Sequence, residues 1–122
     1  IFLNLMNGEV PEFRDILFMT LATHPDNIKD KPELLRKVAA AFSDAVKILK
    51  DDPKRGKALM TLEYPTMAAA TNDEAYDVVS QIWTKDGRMT ESQARGTFDY
   101  LQPKGTQEVD FSSTFTNQFL PK

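Results

Sequence analysis

The residue best suited to chemistry is a lone histidine. His24 is the only histidine of the chain, and it follows the apolar run 16–23 and precedes Pro25. At the end of a strand its imidazole could serve as a general base or a metal ligand, whereas in a loop before proline it would have no chemical role. Zinc needs several protein ligands, and no carboxylate lies at helical spacing from His24. The loop interpretation is therefore favoured, and we predict no catalytic residue and no metal site.

Charged clusters give no stronger signal. The pairs Asp51-Asp52 and Asp73-Glu74 stand at predicted helix starts, where negative charge is favourable in any case. Three basic residues between positions 54 and 57 could bind an anion, but a solvated helix face is the favoured interpretation. The chain has no phosphate-binding glycine loop, no nucleophile elbow and no dinucleotide fingerprint. We therefore predict a protein that is not an enzyme and holds no cofactor.

Composition narrows the class of protein. With 122 residues, 41% hydrophobic and 27% charged, the chain has the make-up of one ordinary globular domain. A net charge of −3 argues against nucleic acid as a partner, because that would require a basic face. The absence of cysteine excludes disulfides and thiolate chemistry. No run approaches the ~20 apolar residues that span a bilayer.

Two segments near the beginning read as strands. Ile1–Met6 ends at the turn signal Asn7-Gly8, and Ile16–Thr23 is apolar at odd and even positions alike. A strand that is apolar on both faces is typical of a parallel sheet covered by helices. The pattern alone also allows a buried helix, but the length of eight residues and the following proline favour a strand.

The rest of the sequence predicts helices. Pro32–Lys50 carries a wide apolar stripe with Phe42 in its middle, so we expect Phe42 to be buried between the strand and a later helix. Asp30–Glu33 has the form of a capping box for this helix. Further starts are predicted at Asp52-Pro53, at the boxes Thr71–Glu74 and Thr90–Gln93, and at Asp110 before Phe111, Phe115 and Phe119.

The predicted order is thus one or two strands followed by about five helices. One or two strands cannot form a stable sheet alone, so the predicted fold class is an incomplete α/β domain, with residues 1–122 as a single partial domain. The chain begins at Ile1 with an apolar stretch and no cap, which suggests a piece of a longer protein; a trimmed N-terminus is the alternative.

Three passages resemble the C-terminal part of solute-binding proteins of ABC importers, in the branch that takes thiamine-pyrimidine precursors, nitrate or alkanesulfonates. The first passage is "PEFRDILFMTLATHPDNIKDKPELLRKVAAAFSDAVKILKDDP", which looks like a return strand and the long helix after it. The second is "KDGRMTESQARGTFDYL", and the third is "VDFSSTFTNQFLPK" with its F-x-N-x-F-L-P ending. Together they cover nearly the whole chain.

The resemblance implies a fold and a site. Residues 1–23 would be hinge and return strands of a type II periplasmic-binding-protein lobe, and residues 24–122 would be its helical part. Phe18, Met19 and Thr20 would face the ligand cleft, most of which would belong to residues beyond this chain. Without those neighbours, the strands are expected to pair or swap between copies of the chain.

The resemblance also implies a function. The chain would belong to a periplasmic or extracytoplasmic protein, membrane-anchored in some forms, that captures a small solute and presents it to an ABC permease. The alternative is a small helical interaction domain, complete in itself, whose N-terminal strands pair with a partner chain.

Overall fold

Helices make up most of the part of the chain that the structure describes. The structure, a computed structural model, describes residues 10–14, 16–101 and 109–122. The α-helices of this part are α1 (Pro25–Asp30), α2 (Pro32–Asp51), α3 (Pro53–Glu63), α4 (Ala69–Val79) and α5 (Glu91–Leu101). Short 3-10 turns are formed by Pro11–Phe13, Ser80–Ile82 and Phe111–Ser113.

The predicted α/β fold class is wrong for the described residues, which contain helices and no β-strand. The apolar run 16–23 is unpaired, and it is exposed from Phe18 onward, with Met19 at 93%. A strand forms only when a neighbour supplies the other half of its hydrogen-bond ladder, and the described part offers none. The run therefore has the apolar pattern of a buried strand but no sheet in which it could be buried. The other predicted strand, Ile1–Met6, lies outside the described residues.

Two of the predicted helix starts are confirmed in atomic detail. The Asp52 carboxylate accepts a hydrogen bond from the Arg55 backbone N–H at 3.0 Å, so α3 has the expected cap. Before α5, the Gln93 N–H donates to the Thr90 hydroxyl at 3.2 Å and the Thr90 N–H donates to the Gln93 side chain at 2.9 Å. This reciprocal pair is a complete capping box.

The other two predicted boxes are wrong. At the start of α2 the cap position is Lys31, which has no capping side chain, because Asp30 is already the last residue of α1. Helix α4 begins at Ala69, before the predicted Thr71, and this places Asn72 inside the helix. There Asn72 is fully buried, and its amide Nδ2 donates to the Tyr64 carbonyl at 3.3 Å.

The predicted terminal helix is only one turn long in the structure. The Asp110 cap is confirmed, because its carboxylate accepts from the Ser112 N–H at 3.0 Å. The helix that follows is only the 3-10 turn Phe111–Ser113, so Phe115 and Phe119 do not share a helical face with Phe111. Of the three, Phe111 is buried, whereas Phe115 and Phe119 are half-buried.

Helix α2 is confirmed almost to the residue, but its buried side is not the predicted one. Phe42 is 55% exposed and Val38 is 38% exposed, whereas Ala39 is buried. The packed side follows Leu35, Ala39 and Val46, and α2 meets α1 and α3. The apolar stripe is wider than the surface that these short helices can cover, so one edge of the stripe stays in solvent.

The best-packed region lies where α2, α3 and α4 meet. Tyr76 of α4 is 3% exposed, and its hydroxyl donates to the carbonyl of Leu49 near the end of α2. Its ring lies over Gly56 of α3 and meets the Trp83 ring edge-on at a centroid distance of 5.5 Å. One side chain of α4 thus contacts two other helices, α2 and α3, and the residue that follows the turn Ser80–Ile82.

The segment after α4 is tied back to α2. The Lys50 ammonium donates to the carbonyls of Trp83 at 2.6 Å and Thr84 at 3.2 Å. Gly87 then adopts a positive φ of 74°, a conformation that glycine takes without strain. Beyond this loop, α5 packs against the turn Phe111–Ser113.

Gly56→Ala should destabilise the protein. A Cβ at this position would lie 2.6 Å from the Tyr76 Cζ, so the ring must move out of its site, at a cost of about 2 kcal/mol despite the better helix propensity of alanine. Urea melts would measure this change. In a Tyr76→Leu background the same substitution should be neutral or stabilising, and an equal cost in both backgrounds would contradict the assigned contact.

Phe42→Ala should cost about 1 kcal/mol or less, because more than half of the ring already lies in solvent and little apolar area is lost. Leu49→Ala on the same helix should cost about 2 kcal/mol, since Leu49 is half-buried beside Tyr76. The midpoints of denaturant melts compare the two variants. A larger loss for Phe42→Ala than for Leu49→Ala would show that the packed side of α2 is misassigned.

Candidate functional site

An apolar groove lies between segment 17–20 and helix α5. Its volume is about 440 Å³, and it is open to solvent along one side. Its walls combine this segment, one side of α5 and the turn at Phe111. The lining residues are Leu17, Phe18, Thr20, Met89, Ala94, Thr97, Phe98, Leu101, Val109, Phe111 and Thr114.

Two of the three predicted ligand-contacting residues line this groove. Phe18 and Thr20 line it, whereas Met19 does not and is 93% exposed. Strand-like alternation does not account for this split, because Leu17 lines the groove together with its neighbour Phe18 and the chain bends at Phe18. The prediction that these residues contact a solute stays a prediction.

A threonine of α5 holds segment 17–20 in place. The Thr97 hydroxyl accepts from the Leu17 N–H at 2.9 Å and donates to the Gln93 carbonyl of its own helix at 2.8 Å. The sequence did not single out Thr97, because a threonine inside a helix carries no signal for a partner 80 residues away.

The floor of the groove is aromatic. Phe98 and Phe111 meet edge to face at a centroid distance of 5.4 Å. The Arg95 guanidinium lies 4.5 Å from the centre of the Phe111 ring, in range for a cation–π interaction. Hydrogen bonds from the Ser112 side chain and backbone hold the pKa of the Asp110 carboxyl below its ordinary value.

The end of the chain is bound to the start of α5. The Asn117 amide accepts from the Met89 N–H at 3.0 Å and donates to the Met89 carbonyl at 2.9 Å. This pair satisfies both backbone groups of one residue, in the same way as a neighbouring strand would. It fixes Met89, and through Met89 one wall of the groove.

His24 is a capping residue in the structure. It occupies the N-cap of α1, where its Nδ1 accepts from the Asp26 N–H at 3.3 Å, and its side chain is 71% exposed. Residues 10–14, 16–101 and 109–122 contain no group of three or more histidine, cysteine, aspartate or glutamate side chains that could hold a metal ion. The geometry around His24 thus favours the structural role over the chemical one.

One of the three basic residues between positions 54 and 57 connects two helices. The Lys57 ammonium bonds the Asp77 carboxylate of α4 at 2.7 Å, and this hydrogen bond raises the pKa of Lys57 above its ordinary value. Lys54 and Arg55 are exposed. The ion pair joins α3 to α4. The position of one of the three basic residues is thus explained without a bound anionic ligand.

A second open groove of about 380 Å³ runs beside Tyr76. Leu59, Leu62 and Trp83 contribute to its apolar walls. The lining of this second groove also includes three residues with titratable side chains, Glu63, Tyr64 and Tyr76, whereas the groove beside α5 is lined by none. The walls of both grooves are mainly apolar, which suits contact with apolar or aromatic groups.

Comparison of the chain with models of protein families, with curated proteins and with solved structures found no match. In the described residues, no helix combines the length and the apolar character required to cross a membrane.

Asn117→Ala should loosen the end of the chain. It removes both hydrogen bonds to Met89 and leaves two backbone groups without that partner, for a loss of about 1–3 kcal/mol. Hydrogen exchange at the Met89 amide would report the change directly. The neighbouring control Gln118→Ala alters an exposed side chain and should leave that exchange rate unchanged.

Ser112→Ala should raise the pKa of Asp110 toward its ordinary value, because it removes the hydrogen bond that contributes most to the lowering. Ser113→Ala should raise it less, since Ser113 contributes least. A carboxyl NMR titration measures both. As the folded pKa is depressed, the stabilisation by this cap is present above the unfolded pKa of about 3.9 and is lost as the pH falls through the folded pKa. Equal shifts for the two variants would contradict this assignment.

Proposed function

We propose that this chain is part of the solute-binding component of an ABC importer, of the kind that takes nitrate, alkanesulfonates or pyrimidine precursors of thiamine. In this role the protein captures a small solute outside the cytoplasm and presents it to a membrane permease. The proposal rests on the resemblance of the sequence and does not include the predicted sheet.

One structural observation supports it. The second and third passages of the resemblance, "KDGRMTESQARGTFDYL" and "VDFSSTFTNQFLPK", are in contact in the structure. Asn117 of the third passage bonds both backbone groups of Met89 in the second, and Phe111 packs on Phe98. The two passages are separate in the sequence but pack against each other. Because their residues contact one another, there is a physical reason for both passages to occur in the same protein.

The groove beside these passages is where a solute would be sought. Phe18 and Thr20 line it, and the aromatic pair Phe98 and Phe111 forms its floor. Its apolar walls suit the flat face of a heteroaromatic ring. An anion would need donors from elsewhere in the component, because no charged residue lines the described groove.

Uptake measurements test this function in the cell that makes the protein. Deletion of the gene should abolish uptake of one labelled solute among nitrate, an alkanesulfonate and a pyrimidine, and re-expression of the intact gene should restore it. A Phe18→Ala, Phe98→Ala double variant should lower the affinity for that solute about tenfold, whereas Met19→Ala should not. Unchanged uptake of all three solutes after deletion would refute the proposal.

A helical interaction domain is the second candidate. The observation that favours it is the exposed apolar edge of α2, which includes Leu34, Phe42 and Ile48 at 53%, 55% and 44% exposure. Apolar side chains aligned on one helix are a common way to bind another helix. Copurification of a stoichiometric protein partner, together with normal uptake of solutes in the deletion strain, would favour this candidate.

A further inference from the structure

The exposed edge of α2 has the spacing of a coiled-coil seam. Five apolar residues succeed one another at intervals of four, three, four and three, which is the alternation of a heptad repeat. The three large members are between 38% and 53% exposed, and the two alanines at the centre are exposed as well. We call these residues the α2 seam: Leu34, Val38, Ala41, Ala45 and Ile48.

The α2 seam is separate from the side of α2 that packs within the chain. Ala39 is buried and Val46 is half-buried on the other edge, where α2 meets α1 and α3. The small alanines at the centre of the seam allow another helix to approach closely. A second helix could therefore occupy the seam with no rearrangement of the fold.

Charged residues beside the α2 seam indicate which helix would pair with it. Lys37 and Asp44 are one heptad apart, next to the seam on the edge away from the packed side. Both are exposed, and neither has an ion-pair partner in the part of the chain that the structure describes. Residues at such positions set the partner and the orientation of paired helices.

We propose that α2 pairs with α2 of a second copy of this chain, in antiparallel orientation about a twofold axis between residues 39 and 40. In this register Val38 lies opposite Ala41 of the second copy, and Leu34 lies opposite Ala45, so a large residue meets a small one in these layers. Ile48 lies opposite Lys31 of the second copy, at the outer end of the pair. Lys37 then lies beside Asp44 of the second copy, and the symmetry forms this ion pair twice.

Other arrangements fit the charges less well. A parallel pair would place Lys37 beside Phe42 of the second copy, with no opposite charge in reach. An antiparallel pair shifted by one heptad would bring the two Asp44 carboxylates together, and like charges repel. Charge complementarity therefore selects the antiparallel register about residues 39 and 40.

The proposed pair is independent of the proposed function, because it rests on α2 alone. Sedimentation equilibrium of the 122-residue chain should show a monomer–dimer equilibrium with a dissociation constant on the order of 10–100 µM, as expected for a small interface. A chain that stays monomeric to several hundred micromolar would mean that another occupant covers the seam, and would overturn the proposal.

Matched variants locate the interface. Ala41→Glu places a charge at the centre of the seam and should weaken the dimer at least tenfold. The same change at Ala58, an exposed residue of α3, should leave the dimer intact. Circular dichroism confirms that both variants keep their helices. Equal effects of the two changes would exclude the α2 seam as the interface.

Charge exchange tests the register. Lys37→Asp and Asp44→Lys should each weaken the dimer about 3- to 10-fold, because each replaces two attractive contacts with repulsive ones. The double variant restores opposite charges and should return the dissociation constant to within about twofold of the original. Failure of this rescue would overturn the ion pairs.

Cysteine crosslinking tests the orientation, and the natural absence of cysteine keeps the background clean. A mixture of the Lys37→Cys and Asp44→Cys chains should form a mixed crosslink in preference to crosslinks within either variant. Preferential crosslinking of each variant to itself would show a different pairing and would overturn the antiparallel arrangement.

Discussion

The fold depends on a close approach between Tyr76 and Gly56. The ring occupies the space that any other side chain at position 56 would fill, so the Tyr76 ring of α4 packs directly on the backbone of α3. The hydroxyl then reaches the Leu49 carbonyl, one of the last carbonyls of α2, which has no partner within its own helix. The contact between two helices thus becomes a contact among three. Trp83 and Asn72 complete the same region, the first through its ring and the second through the Tyr64 carbonyl.

Local interactions were predictable from the sequence to the extent that they involve neighbours in the chain. The caps at Asp52, Thr90 and Asp110 depend on residues two or three positions away, and the pattern of residue types contains that information. The failed box at Asp30 shows the limit. Its residues have types that suit a capping box. However, Asp30 is the last residue of the preceding helix α1, so it does not cap α2.

Burial was less predictable, because it depends on what lies across from a residue. The apolar stripe on α2 is real, yet α1 and α3 cover only one edge of it, and Phe42 stays in solvent. The run 16–23 shows the same effect more strongly: its composition is that of a buried strand, but burial requires a partner that the described chain does not provide. The groove was predictable only through Phe18 and Thr20, and its other wall comes from α5, some 80 residues later.

The part of the structure around α5 is joined to the helices around Tyr76 by polar contacts more than by packed helices. Helix α5 rests on the turn Phe111–Ser113. The Lys50–Thr84 hydrogen bond, at 3.2 Å, connects the loop before α5 to α2, and the Arg36–Phe119 cation–π contact, at 5.9 Å, connects the last residues to α2. Such links break at little cost compared with an apolar interface. Calorimetry should therefore record a van't Hoff enthalpy smaller than the total heat absorbed, since the α5 end opens as a separate cooperative unit while the helices around Tyr76 are still closed.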